Sequence, residues 1–410
     1  MKKICLLIML FIALGFHTFA QETYVISGTV KDKNEFLPGA AVYVSGYKIA
    51  TSTNGEGKFT LAKLAPGNYD ILVQMIGYIP YSKNVVVSDK SINISIILTE
   101  STTQLNTVVI RPDPNRLYHI SLFKDFFIGK TPNSDQCKIL NLQVLTFNDD
   151  RAKRLLTANA SDFLIIENKA LGYKIKYLLE AFEYDYASKI IYYAGHPHFE
   201  ELPGNASKQR RWAKARELAY NGSIQHFFKS LYDNTIAQQG FVINKLVTTP
   251  NPMRQPDSLI NANVKRLTTG RQGVINTMTF NGNDSLSYWI RQRNLSKNIN
   301  TLSRANVLVD TLVKKDEVPL KMMQFTDALF VIYNKEKEDA RFQNSGNRQN
   351  RPFDIGDTQV SVINIRHPKV RFYSNGSVYD PMSTLYSGYW AYEKVADLTP
   401  LEYLPAKKAN

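Results

Sequence analysis

Between Ile92 and Leu98 every second residue is apolar: Ile92, Ile94, Ile96 and Leu98 share one side, Asn93 and Ser95 the other. A period of two belongs to a half-buried strand, because successive side chains of an extended chain point to opposite faces. A looser alternation runs through Tyr24, Ile26 and Val30, and through Tyr69, Ile71, Val73 and Met75. Shorter runs at 40–44 and 58–61 complete the set, with turns at Pro38-Gly39, Gly46, Asn54-Gly55-Glu56-Gly57 and Pro66-Gly67-Asn68. Gly and Asn tolerate the positive φ that tight turns need. Strands of this length, with no helical pattern between them, predict a β-sandwich over residues 21–100.

The pattern then changes. Thr-rich sequence, a short apolar Val108-Val109-Ile110 and the prolines Pro112 and Pro114 mark a linker at 101–115. Asn115 is placed to cap a helix with Leu117, Ile120, Phe123 and Phe127 on one face, ended by Gly129. Apolar runs at 142–147, 162–167, 174–184 and 189–194 predict an antiparallel meander. Residues 207–219 read as a basic helix carrying Lys208, Arg210, Arg211, Lys214 and Arg216, broken at Gly222. Ser223 can cap a second helix whose Ile224, Phe227, Phe228 and Leu231 fall at i, i+3, i+4 and i+7, and which is expected to pack on the meander. Further strands are predicted at 241–247, 274–280, 307–313, 328–333, 358–365 and 370–373, with a flexible loop between Glu336 and Asp354. The fold class is therefore mainly β: a seven-stranded-type sandwich, then an antiparallel-sheet-rich α+β domain at 116–410 with a few helices.

The first unit also carries a spaced set of positions. Gly28 and Val30 stand in a strand, Pro38 to Ala41 in a turn, and Thr53, Gly57 and Phe59 in a second turn. Leu64, Gly67, Tyr69, Gly77 and Tyr78 follow. In these positions the chain resembles the carboxypeptidase-regulatory-like domain, a transthyretin-like or prealbumin-like sandwich. Asn54 stands where that pattern has an Asp. The resemblance covers about one-fifth of the chain and implies a non-catalytic module. In the families that carry it, the module accompanies a peptidase, a surface receptor or an adhesive array. In secreted proteins of Bacteroidetes-type bacteria it often precedes a nutrient-receptor barrel or an uncharacterised domain. The region after Pro114 resembles the C-terminal part that follows the sandwich in some such envelope proteins, and no functional residue is carried over from it. A fold so widely shared transmits no activity.

Composition sets the compartment. Lys2 and Lys3, the apolar Ile4–Phe16 and the site Thr18-Phe19-Ala20 read as a signal peptide at 1–20, so the mature chain is expected to begin at Gln21. Cys5 lies at the start of the apolar run, where it is badly placed for lipidation. No later apolar run is long enough to span a membrane, so an exported protein of the periplasm or outer-membrane surface is expected. The chain has 410 residues and a formal net charge of +14, two of which leave with Lys2 and Lys3. Such a charge favours anionic lipid or acidic polysaccharide, and export argues against nucleic acid. Cys137 is then the only cysteine, which excludes an intramolecular disulfide and a multi-cysteine zinc site.

Chemistry is sparse. The sharpest motif is His198-x-x-Glu201 within Gly195-His196-Pro197-His198-Phe199-Glu200-Glu201, the spacing with which zinc carboxypeptidases supply two ligands. Zinc catalysis needs a third ligand, and neither His226 nor His367 stands in a ligand context, so the run reads as a solvated loop. No nucleophile elbow, phosphate-binding loop or dinucleotide fingerprint is present. No catalytic, cofactor-binding or metal residue is assigned, and no cofactor is expected. Four aromatic residues are candidate ligand contacts: Trp212 in the basic helix, and Tyr389, Trp390 and Tyr392, near Tyr386, in the C-terminal segment. The expected function is a non-catalytic binding or assembly protein of the cell envelope, with a protein or glycan partner. The alternatives are a polysaccharide-binding protein using the C-terminal aromatics and a zinc-dependent hydrolase centred on His198 and Glu201.

Overall fold

The computed structural model describes residues 23–101, 114–269, 285–316, 319–346 and 348–406. The expected signal peptide, most of the expected linker, the strand expected at 274–280 and the extreme C-terminus lie outside the described residues.

The N-terminal unit is a seven-stranded sandwich. Strands β1 (Tyr24–Lys31), β2 (Ala41–Val44), β3 (Ala50–Ser52), β4 (Lys58–Leu64), β5 (Gly67–Gln74), β6 (Tyr81–Val87) and β7 (Ile92–Ile97) form two sheets ordered β4-β1-β7 and β3-β2-β5-β6. The alternation is realised as read: Ile26, Val30, Ile71, Val73 and Ile96 are fully buried between the sheets. The turn at residues 54–57 shows why Asn54 suffices. Its Oδ1 accepts from the N–H groups of Glu56 and Lys58, a cap that needs a polar oxygen and no charge. Gly57 holds φ +68° there, and a Cβ would meet the Val30 carbonyl oxygen.

Helix α1 (Arg116–Phe123) runs into a π turn at Lys124–Ile128 that Gly129 ends. Its buried side chains are His119, Phe123, Phe127 and Ile128, while Leu117 of the predicted face is exposed. The first C-terminal sheet contains β8 (Cys137–Ile139), β9 (Leu145–Asp150), β10 (Leu155–Ala160), β11 (Leu164–Asn168), β12 (Tyr173–Asp185) and β13 (Ile191–Glu201). The long β12 pairs with β13 on one side, and with β11 and then β10 on the other. Residues 195–201 are thus part of a strand and not the loop expected from their polarity.

Helix α2 (Ala206–Tyr220) is capped by Asn205, whose side chain accepts from the Lys208 N–H. Helix α3 (Ile224–Tyr232) is capped by Ser223 as read. It does not pack on the meander. Phe227, Phe228 and Leu231 are fully buried against Phe241, Phe372 and Trp390 of the sheet that follows. The turn at Gly222 leads into α3, and after a short helix at Ile236–Gln239 the turn at Gly240 leads into that sheet, which is built from β14 (Phe241–Pro250), β15 (Asn298–Asn306), β18 (Ala328–Lys337), β19 (Thr358–Ile365) and β21 (Thr384–Gly388). A small sheet of β16 (Val313–Lys315), β17 (Lys321–Met323) and β20 (Val370–Phe372) lies beside it. Residues 307–313, read as a strand, are mostly a short helix at Val309–Leu312. Two helices between β14 and β15, Asp257–Thr268 and Ser285–Asn294, were not legible as such.

The stretch from Glu336 to Asp354 is not a free loop. Glu338, its side chain fully buried, takes Arg348 and Arg351, at 2.8 and 2.5 Å, and so fastens the segment to the body.

The sandwich is docked on the first C-terminal sheet. Tyr43 and Leu72, on the outer side of β2 and β5, pack on Phe163 with Ile165 and Leu178 around them. At the end of β2 the chain meets the free edge of β13. The Gly46 N–H donates to the Pro197 carbonyl, and the Phe199 N–H donates to the Tyr47 carbonyl at 3.1 Å. The C-terminal tail joins in, with the Leu401 N–H donating to the Gly46 carbonyl at 2.7 Å. An open strand edge is a row of unpaired polar groups, and this contact closes part of one.

Candidate functional site

The His198-x-x-Glu201 motif is the seam of that docking. On a strand, residues three apart face opposite ways. His198 turns toward the sandwich, 1% exposed, while Glu201 leaves from the opposite face, pairs with Lys48 at 2.9 Å and approaches Arg216 of α2 at 3.6 Å. The residues that share the face of His198 are engaged as well. His196 Nε2 lies 2.8 Å from Glu180 and its Nδ1 is 3.2 Å from Ser45 Oγ. Glu200 pairs with Lys176 at 2.7 Å, and Lys176 donates to the Tyr43 hydroxyl at 3.0 Å. His226 is used elsewhere: its Nδ1 accepts from the Gly222 N–H, and its Nε2 meets Gln239 at 3.2 Å. His367 sits against Asp380 at 2.9 Å. The geometry of a zinc hydrolase is contradicted at its two principal residues, because backbone alternation separates them.

The candidate aromatic residues are also placed inside the fold. Trp212 is 3% exposed and its Nε1 donates to the Lys169 carbonyl at 2.9 Å. Gly172 makes room for it with φ +73°, and a Cβ there would lie 2.2 Å from the indole. Trp390 is 4% exposed, donates from Nε1 to the Gly222 carbonyl at 2.6 Å and packs on Phe227. Tyr389 is buried against Phe342, and the hydroxyl of half-buried Tyr392 meets Asp339 at 2.9 Å. The rings of Trp212, Tyr389 and Trp390 are covered by the chain, which corrects the expectation of a stacking platform made from them, while half-buried Tyr392 lines the 590 Å³ cavity. Of the five cations read on α2, Lys208, Arg210, Arg211 and Lys214 are exposed, whereas Arg216 is buried and donates to the Leu171 and Gly172 carbonyls.

What the aromatic segment does is bridge the two C-terminal sheets. Trp390 is anchored in the core of the second sheet, and Val395 and Ala396, both fully buried, in that of the first. Asn168 Nδ2 donates to the Ala396 carbonyl at 2.8 Å and fixes the second anchor. Between the anchors, three neighbouring cavities of about 280, 590 and 370 Å³ open around the same few residues. Glu393 and Asp397 line the smallest and the 370 Å³ cavity, and Lys394 lines the other pairing of two.

The electrostatics of this cleft stand out. Glu336, at the end of β18, lines the 370 Å³ cavity. It accepts from Asn221 and Gln359, each at 3.3 Å. Burial pushes its carboxyl up to about 7, and the charge of Glu217 adds to this. Burial likewise raises Glu393 well above the ordinary carboxylate range, helped by the charges of Asp397 and Glu336. Asp397 rises to about 6 through burial, although Thr131 and Asn133 donate to it at 2.9 Å. Burial brings the Lys394 ammonium down to about 8. Clustered perturbed acids in a cavity mark a candidate site. The sequence reading missed all four. Three of them carried one signal, the charged set Glu393, Lys394 and Asp397 interrupting an otherwise apolar, aromatic stretch, and Glu336 carried none.

No group of three His, Cys, Asp or Glu side chains among the described residues is arranged to hold a metal ion. Cys137 is half-buried, with its thiol pushed up to about 12 by burial, so it behaves as a small apolar group.

Residues 26–110 match the family model of the CarboxypepD_reg-like domain. That match covers the sandwich and none of the cleft. No curated protein matches the chain. Among solved structures, it is similar to a DUF3823 family protein from Parabacteroides merdae, at 10% identity over 46% of this chain and 85% of that one, with TM-score 0.16. It is also similar to a type II cohesin–X-dockerin complex from Acetivibrio cellulolyticus, at 21% identity, 19% and 58% coverage and TM-score 0.17. A third is the pilus 2b backbone protein of group B streptococcus, at 15% identity, 20% and 42% coverage and TM-score 0.18. The chain spans less than two-thirds of the latter two.

Proposed function

We propose that this chain is a non-catalytic binding or assembly protein of the bacterial cell envelope, exported and held at the periplasmic or outer-membrane side. In this reading residues 21–100 are a mount, 101–115 a linker, and 116–410 the part that meets a partner. The observation that carries it is the division of labour between two polar clusters. The His196–Glu201 run is consumed in fastening the sandwich to β13, whereas the Glu336, Glu393 and Asp397 carboxyls converge on a cavity with no ion pair of their own among the described residues. Asp397 is buried and Glu336 and Glu393 are half-buried; acids withdrawn from water without a counter-charge cost stability, and such a cost persists where binding offsets it. The regulatory-like family match over 26–110 supports a structural role for the sandwich. The exposed cations of α2 suit an anionic surface nearby, such as lipid headgroups or acidic glycan.

Chemical crosslinking of the full chain in intact envelopes tests the reading. A reproducible, discrete adduct with another envelope component is expected. Its absence at crosslinker concentrations that label the chain itself would overturn the assignment.

A further inference from the structure

We propose that the arm formed by β14, β15 and the two helices between them seats this chain on an anionic bilayer surface. Its cations meet the lipid headgroups and its exposed apolar side chains enter the headgroup layer. This rests on the envelope reading and adds a second surface to it. β15 is one edge strand of its sheet and β21, which leads into the bridging segment, is the other, so the arm and the cleft lie at opposite edges.

β14 pairs with β18 only from Phe241 to Leu246, while its pairing with β15 runs on to Pro250 and Asn298. Residues 247–250 and 298–301 are therefore a two-stranded ribbon that leaves the sheet, and the helices Asp257–Thr268 and Ser285–Asn294 pack on each other at its end. The Gln255 N–H donates to Gln292 Oε1 at 2.8 Å and Arg254 Nε to the Leu295 carbonyl at 2.9 Å, which brings the start of the first helix beside the end of the second. Ile260 and Leu286 are buried there. Among the described residues, none between Val247 and Thr301 contributes to the cores of the body. A two-stranded ribbon is marginal on its own, so apolar side chains that it leaves in water are a cost that a covering surface removes.

Charge complements such a surface. Among the described residues from 251 to 299 the cations are Arg254, Lys265, Arg266, Arg291, Arg293 and Lys297, against one carboxylate, Asp257. Asp257 is taken by Arg254 and Lys297, each at 2.6 Å. Lys265, Arg266, Arg291 and Arg293 are exposed and form no ion pair among the described residues. Unpaired cations of one sign on a protruding arm suit a surface of anionic headgroups.

The spacing of the apolar residues selects lipid. Leu259, Ala262 and Arg266 fall at i, i+3 and i+7 of the first helix, and Tyr288, Arg291 and Leu295 repeat that spacing on the second. Each set shares one stripe of its helix, and every member is exposed. Apolar side chains and a cation thus stand together on both stripes. Met253 and Ile299, near the end of the ribbon, are exposed as well. An acidic polysaccharide offers charge but no apolar layer to receive Leu259, Tyr288 and Leu295, whereas the boundary between headgroups and acyl chains offers both. The basic face of α2 lacks this character, because Trp212 is turned into the fold.

Flotation of the full exported chain with vesicles of phosphatidylcholine alone, or containing about 30 mol% phosphatidylglycerol, tests this. Binding to the anionic vesicles only is expected, weakened at least about 10-fold between about 0.1 and 0.5 M salt. Arg266→Glu together with Arg291→Glu should weaken it at least about 20-fold. Leu259→Ser together with Leu295→Ser should weaken it about 5-fold or more, while Glu56→Gln on the sandwich leaves it unchanged. Tyr288→Trp should give a blue shift of indole emission on the anionic vesicles beyond that of the parent, a readout of entry into the apolar layer. No flotation with the anionic vesicles, or equal flotation by an Arg266→Glu, Arg291→Glu variant that melts like the parent, overturns the inference. Preference for soluble polygalacturonate over the vesicles assigns an acidic glycan and overturns it too. Envelope crosslinks that persist while flotation fails would sink this inference alone. Flotation that holds while no crosslinked partner is found would leave it standing and remove the partner-binding role.

Discussion

The imidazole of His198 lies against the phenol ring of Tyr43, with centroids 4.5 Å apart, so one side chain of β13 and one of β2 close the seam between sandwich and sheet. The Lys176 ammonium sits 4.8 Å over the same Tyr43 ring, which brings a cation into the stack. Truncating either ring removes buried contact from both units. His198→Ala is expected to cost about 2–3 kcal/mol and Tyr43→Ala about 3 kcal/mol. Because the two touch, the double variant should lose less than the sum by at least about 0.5 kcal/mol in urea denaturation. Strict additivity would show that the rings do not act together.

Acid sensitivity follows from the two buried histidines. Burial lowers both His198 and His226 to about 4 from an ordinary value of 6.5. The unfolded chain takes up protons on them below pH 6.5 and the folded chain does not. Their contribution is thus fully present above 6.5 and lost as the pH falls toward 4. His226→Gln should flatten the fall in melting temperature across that window relative to the parent. An unchanged slope would place the acid lability elsewhere.

Glu336 acts with the opposite sign. Its folded value of about 7 exceeds the ordinary 4.5, so the folded chain holds a proton that the unfolded chain has released. Stability from this group therefore declines as the pH rises from 4.5 through 7. Glu336→Gln should be more stable than the parent above pH 7, by on the order of 1 kcal/mol after solvent screening. Below pH 4.5 the two should coincide. Melts at both ends of the range decide the matter.

The sandwich was legible in the sequence because its information is local: Ile92 to Leu98 alternates, and turns such as Asn54 to Gly57 need particular residues. Strand β13 was not. Its Gly195-His196-Pro197-His198 run breaks the apolar alternation. Pro197 is tolerated there because the free edge of β13 supplies its carbonyl, not an amide, to Gly46. Strand β10 was missed because its Ala158, Asn159 and Ala160 carry little strand preference, and hairpin pairing with β9 across the turn at residues 151–154 sets its conformation. The acid cleft was invisible for a different reason. Glu336 lies on β19-paired β18, and Glu393 and Asp397 lie some 60 residues later in a bridging segment, so only the fold brings their charges together. The aromatic residues around them drew attention, but Trp390 is an anchor and the acids after it form the site.

The Glu338 clamp makes a sharp stability prediction. Its buried carboxylate holds both Arg348 and Arg351, and Arg351 is also nearly buried. Removing one member of a buried pair leaves an uncompensated charge, so Glu338→Ala should cost about 3–5 kcal/mol. The segment that Arg348 and Arg351 tie down should become a new site of limited proteolysis. Resistance equal to the parent would mean that other contacts hold it.

The central claim is that the cleft between the two C-terminal sheets is where a partner meets this chain. Leu218, at 53% exposure, stands on the rim of the 370 Å³ cavity, whereas Ile76, at 98%, stands on a turn of the sandwich. The most direct measurement places a photo-crosslinking residue at each position in the intact envelope. A discrete adduct from position 218 that position 76 does not give is predicted. Equal labelling from both positions, or none from position 218, would contradict the account.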